Sequence, residues 1–158
     1  MGAKILYGRP IADELLNEAR RRARDRGVSP RLSIIRTTSA GAQDIFIRQK
    51  VKASASIGGE ATVHDLTGAG EGGLLATIGR LNKDPSVHGI VVQLPLPVNF
   101  STLRVLETIS PEKDVDGLHP LNLGRLLAGD ESRAPSTALA VVKLLEHYGV
   151  GLEGSDVL

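Results

Sequence analysis

Three stretches carry residues whose types and spacing suit chemistry. Lys50 lies in "DIFIRQKVKAS", four residues after Phe46. On a helix that spacing puts the ring and the amine on one face. A lysine desolvated beside an aromatic in a pocket has its pKa lowered toward neutrality, and can then take and give protons. The other reading is an amine in solvent with its stem laid along the ring. Gln93 ends the apolar run of "HGIVVQLPLP". Asp114 and Asp116, in "KDVDG", are two carboxylates two residues apart in a polar loop. Asp116-Gly117 suits a turn in which the aspartate serves the backbone. The same carboxylate can instead accept hydrogen bonds from a ligand.

These residues need elements to hold them. "RPIADELLNEARRRARDRG" predicts a helix, with Pro10 in the first turn, Ile11, Leu15, Ala19 and Ala23 on one face, arginines opposite, and Gly27 as the stop. "PRLSIIRT" and "EATVHDL" predict strands, and "HGIVVQL" predicts one buried on both faces of a parallel sheet. Helices are expected over "SAGAQDIFIRQKVKASASIGG", "EGGLLATIGRLNKD", "STLRVLETI", "LNLGRLLAG" and "PSTALAVVKLLEHYG". Strands alternating with helices predict an α/β fold. The expected form is a three-layer open sheet of mainly parallel strands with flanking helices and right-handed crossovers. Such sheets bind ligands beyond the carboxyl ends of their strands. Gln93 sits at such an end, and Pro95 and Pro97 stop the ladder after it. Its side chain either reaches a ligand there or caps loop backbone.

Composition removes other classes. The 158 residues suffice for one domain with a sizeable core. A net charge of +1 gives no pull toward nucleic acid or an acidic membrane. The absence of cysteine excludes disulfides, thiolate metal sites and a thiol nucleophile. His64, His88, His119 and His147 are scattered, which argues against a metal site. No apolar run approaches the roughly 20 residues of a membrane span, and "MGAKILYGRP" is no secretory leader, so a cytoplasmic location is the default. "GAGEGG", residues 68–73, follows Thr67, contains Glu71 and reads as a flexible turn, so no phosphate loop is expected.

In combination the stretches are specific. "HGIVVQLPLP" followed by "ISPEKDVDGLHPLNLGRL" resembles the two signatures of the bifunctional methylenetetrahydrofolate dehydrogenase/methenyltetrahydrofolate cyclohydrolase family. "DIFIRQKVKAS", "AKILYGRPIA", "HDL" and "LNKDPSVHGI" resemble further parts of it, so the likeness covers nearly the whole chain. The resemblance implies one-carbon folate metabolism that feeds purine biosynthesis. Its reactions are oxidation of 5,10-methylenetetrahydrofolate with NADP or NAD, then hydrolysis of the methenyl product to 10-formyltetrahydrofolate. It implies that Lys50 is the catalytic acid/base, that Gln93 tunes it, and that Asp116 anchors the pterin. Phe46 takes the place of a tyrosine that stacks on the folate, and Val92, Leu94, Pro95 and Gly117 match neighbours of the substrate.

The chain also departs from the family pattern. Phe46 lacks the tyrosine hydroxyl, "PSTALA" (135–140) replaces Pro-Cys-Thr-Pro-x-Gly, Leu118 replaces a common phenylalanine, and "TTSAGAQD" lacks the usual loop. A catalytically impaired folate-binding or interaction module of the same fold is therefore the second expectation. The family continues into a Rossmann NAD(P) domain whose Gly-Arg-Ser turn lies past Leu158. The expected division is a folate-binding catalytic domain over 1–135, an interdomain helix over 136–149, and the start of the dinucleotide domain over 150–158, with a strand opening at 155–158. On this reading the chain holds no dinucleotide and is no dehydrogenase by itself. The longer parent is expected to be a homodimer, and this chain a monomer or weakly self-associating. Neither nucleic acid nor membrane is an expected partner.

Overall fold

The structure, a computed structural model, describes residues 3–38 and 41–156. Helix α1, Arg9–Asp25, begins with Pro10 in its first turn, where a missing N–H costs nothing. It ends at Gly27, whose φ of +62° permits the left-handed stop, with Val28 N donating to Ala23 O at 3.0 Å. Arg21 and Arg22 both pair with Glu18 on its surface, while Arg20 reaches across to Ser56 and donates to its carbonyl O at 2.6 Å. Strand β1, Arg31–Arg36, follows directly.

Helix α2, Gly41–Ser56, crosses to strand β2, Glu60–Asp65. Gly59 is needed at that junction because a Cβ there would lie 2.5 Å from Pro30 O. Helix α3, Glu71–Lys83, crosses to strand β3, Gly89–Val92. The sheet order is β2-β1-β3 and both pairings are parallel, with Ile35 opposite both His64 and Val92. A fourth stretch lies alongside β3: Ile90 N donates to Lys113 O at 2.7 Å, and Ile90 and Asp114 form an isolated parallel bridge.

Alternation along the strands gives the sheet two faces. Ile35, Ile90 and Val92 pack against Leu74, Ile78 and Leu81 of α3 and against Val105 of helix α4, Thr102–Thr108. Leu32, Ile34, Gly89 and Val91 face the α2 layer. Helix α5, Pro120–Leu127, a 3-10 turn, Glu131–Arg133, and helix α6, Ser136–His147, complete the chain. The Tyr148 hydroxyl accepts from Tyr7 N and donates to Tyr7 O, each at 3.1 Å, which fastens the amino-terminal segment to the end of α6.

The strands and helices therefore fall where the patterns place them. The short 3-10 turn is additional. Of the strand expected at 155–158, Ser155 and Asp156 have no regular structure, while Val157 and Leu158 lie outside the described residues. Among the described residues no helix is long and apolar enough to cross a membrane.

Candidate active site

Helix α2 packs over β1 and β2 and leaves a gap above β3. That gap is a cavity of about 460 Å³. Leu32, Val91, Val115, Leu16 and Ile57 give it apolar walls, and Lys50, Asp116 and Ser136 supply polar groups. His88 and Arg31 close the end nearest the strand amino termini, with His88 Nδ1 accepting from Arg31 N at 3.1 Å. Lys50 and Asp116 are 66 residues apart in sequence and share this one cavity.

Gln93 is placed by register. Gly89 and Val91 line the cavity, and alternation puts Gln93, two residues further on, on the same side just past the strand's end, though it is not one of the cavity's lining residues. Gln93 N donates to Ile35 O at 2.8 Å, which extends the ladder by one residue. The bridge between Ile90 and Asp114 carries the neighbouring stretch forward so that Asp116 comes level with Val92. Gln93 and Asp116 thus stand at the same, carboxyl, end of the sheet. The Gln93 side chain is 6% exposed. Among the described residues, neither its carboxamide nor the Lys50 amine has a side-chain hydrogen-bond partner, and no bond joins the two.

The first turn of α2 is tied to this rim. Thr38 Oγ1 donates to Gln43 Oε1 at 3.1 Å, and Gln43 Nε2 donates to Pro95 O at 3.4 Å. The helix that carries Phe46 and Lys50 is thereby docked on the turn that follows Gln93, where the Leu94–Pro95 peptide bond is cis. Arg36, at the end of β1, donates to Asp44 of α2 at 2.7 Å and to Asp65 of β2 at 2.5 Å. The hydrogen bond from Arg36, followed by those from Thr67, holds the Asp65 carboxyl well below the usual carboxylate range.

The remaining expected residues fall into two groups. Phe46 lies one turn before Lys50 on α2, is 58% exposed, and is not one of the residues that line the cavity. Leu94 and Pro95 are also exposed there. Val92 is different. Its side chain is buried against α3 and α4, on the far side of the sheet, and only its backbone faces the rim.

The two carboxylates of "KDVDG" have separate tasks. Asp114 is 3% exposed and accepts from Gly117 N at 3.1 Å, His119 N at 2.8 Å and Asn122 Nδ2 at 2.9 Å. It therefore serves the turn. Asp116 is left with one long contact, Ser136 Oγ at 3.4 Å, and faces the cavity. Gly117 has φ of +71°, and a Cβ there would lie 2.6 Å from Arg133 O. Ser136 and His88 join the cavity without any motif that marks them for it. Both reach it through tertiary packing that no local pattern signals.

The glycine-rich turn needs a correction. Gly68-x-Gly70-x-x-Gly73 has the literal spacing of a dinucleotide fingerprint, and it does join a strand, β2, to a helix, α3. It does not fit a pyrophosphate. Glu71 stands in the first turn of α3, and its carboxylate already accepts from Ser101 N at 2.8 Å and Arg104 Nη1 at 3.4 Å. A phosphate at that terminus would meet like charge. The next strand ends at Val92 and is followed by Gln93, where a dinucleotide fold places the acid for the ribose. The residues present do not fit NAD(P) there.

The family model described as tetrahydrofolate dehydrogenase/cyclohydrolase, catalytic domain, matches residues 6–116. The chain belongs to this family. The bifunctional protein FolD of Thermus thermophilus is 44% identical over 162 residues, covering all of this chain and 56% of that protein. Among solved structures, the FolD methylenetetrahydrofolate dehydrogenase/cyclohydrolase of Campylobacter jejuni superposes with a TM-score of 0.88 at 37% identity, over 97% of this chain and 56% of that one. The Trypanosoma brucei enzyme, solved with NADP and an inhibitor, has a TM-score of 0.88 at 32% identity, over 98% of this chain and 55% of that one. This tetrahydrofolate dehydrogenase/cyclohydrolase catalytic domain thus spans a little over half the length of the relatives it matches.

Proposed function

We propose that this chain binds a folate in the cavity between α2 and β3 and catalyses hydrolysis of 5,10-methenyltetrahydrofolate to 10-formyltetrahydrofolate. The observation that carries the reading is the single cavity lined by both Lys50 and Asp116. Asp116 accepts hydrogen bonds from the pterin N–H groups and fixes its orientation. The exposed Phe46 ring and the Leu94-Pro95 turn offer apolar surface to the flat part of the ligand.

The chemistry follows from the charge on the substrate. The methenyl carbon lies between two nitrogens and carries positive charge. Water adds to it, forming a C–O bond and losing one proton. The bond from that carbon to N5 then breaks as the added hydroxyl gives up its remaining proton to become the formyl C=O, and a proton is delivered to the departing nitrogen. One proton is released overall. Lys50 is the group that takes the first proton and returns one to N5. Gln93 suits the task of holding it, because a neutral carboxamide hydrogen-bonds an amine without pinning its charge as a carboxylate does.

The same site serves oxidation of 5,10-methylenetetrahydrofolate in a longer parent, with NADP or NAD as hydride acceptor. The glycine-rich turn at 68–73 does not fit that acceptor, and in this proposal the remaining length of the parent holds it. Residues 1–135 form the folate domain in this proposal, 136–149 the helix toward the next domain, and 150–158 its beginning. The parent acts in the cytoplasm as a homodimer, and this chain alone is a monomer or a weak dimer.

The test is the rate of loss of 5,10-methenyltetrahydrofolate absorbance with wild type and Lys50→Ala. Wild type should exceed buffer, and Lys50→Ala should lose about 10²–10⁴-fold, the range for removing a general acid/base. Equal rates for wild type, variant and buffer overturn the catalytic reading.

A further inference from the structure

We propose that Asp114 and Asn122 are positioning residues that aim the Asp116 carboxylate into the cavity. This inference rests on the folate reading above. Asp114 is nearly inaccessible, yet no cation pairs with its carboxylate among the described residues. An ionised carboxylate taken out of water is costly unless donors surround it. The donors here come from both sides of the turn beyond Asp116. Gly117 N donates to Oδ1, while His119 N and Asn122 Nδ2 donate to Oδ2. Asn122, 1% exposed at the start of α5, uses the same Nδ2 to reach Pro111 O at 3.0 Å, so it ties the first residue of the loop and the Asp114 carboxylate to α5.

A second restraint presses from the opposite side. Ser136 N donates to Asp116 O at 3.1 Å. The carbonyls of Arg133 and Ala134 approach Gly117 so closely that only glycine fits. The backbone of Asp116 is therefore held from below by the Asp114 carboxylate and from above by residues 133–136. Only its side chain is left without a short protein contact. A turn built for stability alone needs one aspartate, and Asp116 stands in the usual place for it. Moving that work to a buried partner frees Asp116 for a ligand. Binding groups must be held within about 0.5 Å to act well, so a loosened clamp should be felt as weaker folate binding even where the fold survives.

The test is a double-mutant cycle read by calorimetric titration of the full chain with 5-formyltetrahydrofolate. The proteins are wild type, Asn122→Ala, Asp116→Asn and the pair together, with circular dichroism confirming that each is folded at the titration temperature. Asn122→Ala should weaken binding about 10-fold in wild type, a coupling of the size seen for residues acting through one another. In the Asp116→Asn background it should change binding less than about 2-fold, within the additivity error. Asn122→Ser, which keeps a donor and most of the polarity, decides by the same cycle if the alanine variant is unfolded. Equal weakening in both backgrounds, or no weakening in wild type, overturns the positioning role and leaves the folate reading intact. A wild-type chain that binds no folate overturns that reading and this inference with it.

Discussion

The two faces of β3 are finished differently. Toward α3 and α4, Ile90 and Val92 meet Leu74, Ile78, Val105 and Ile109 in a sealed apolar layer. Toward α2, Gly89 and Val91 meet a cavity with an amine, a carboxylate and a hydroxyl on its walls. One four-residue strand thus supports a face that stabilises and a face that leaves room. The difference comes from what each crossover supplies. Helix α3 presents four buried side chains, Leu74, Thr77, Ile78 and Leu81. Helix α2 leans over β1 and β2 and presents Lys50 and Ala53 where the sheet continues beneath it.

This contrast can be broken first on the sealed face. Leu74→Ala removes a fully buried side chain and should cost about 2–5 kcal/mol of stability, the usual range for a leucine cavity. Chemical denaturation measures the loss. Folate affinity of the folded fraction should be unchanged, and a parallel loss of affinity would mean that the two faces are not separate.

On the open face, Gly117→Ala places a methyl group against the Arg133 and Ala134 carbonyls in a left-handed backbone. Strain of this kind costs about 1–3 kcal/mol. Folate binding by calorimetry should fall by more than the loss in melting temperature accounts for.

Gln93→Glu is a subtler change on the same rim. A carboxylate beside the Lys50 ammonium favours its charged form. The pH–rate profile for methenyl hydrolysis should therefore move to higher pH, and an unmoved profile would detach Gln93 from Lys50.

The smallest effect is expected at the outer edge. The Arg36 hydrogen bond depresses the Asp65 carboxyl from its ordinary 3.8. The stability this gives is present above that value and is lost as pH falls through and below it. Asp65→Asn should lower stability slightly at neutral pH, since the pair is exposed, and converge on wild type below about pH 4, the ordinary aspartate range, which flattens the acid limb of a stability-versus-pH curve.

Much of this was legible in sequence for physical reasons. "GIVV" is apolar throughout because the strand is covered on both sides, and its four residues are all buried. The prolines after Gln93 announced the end of the strand. The spacing of Phe46 and Lys50 placed them on successive turns of one helix. Other features were not legible. "KDVDG" offers two aspartates to the same turn, and only Asn122 and the backbone at 133–134 decide which is kept and which is freed. The apolar face of α1 was legible but its exposure was not: Leu15 is 53% exposed and, with Ile11, lines an open groove. Val92 belongs by sequence to the signature and by side chain to the opposite face.

Reactivity of the Lys50 amine measures the open face most directly. Acetylation rates of individual lysines, followed by mass spectrometry with and without saturating 5-formyltetrahydrofolate, compare Lys50 with Lys83 at the far end of α3. Lys50 should slow at least about 10-fold while Lys83 keeps its rate, since a bound ligand buries most of the surface it contacts. A Lys50 rate that ignores bound folate, as Lys83 does, would place the ligand elsewhere and contradict the account.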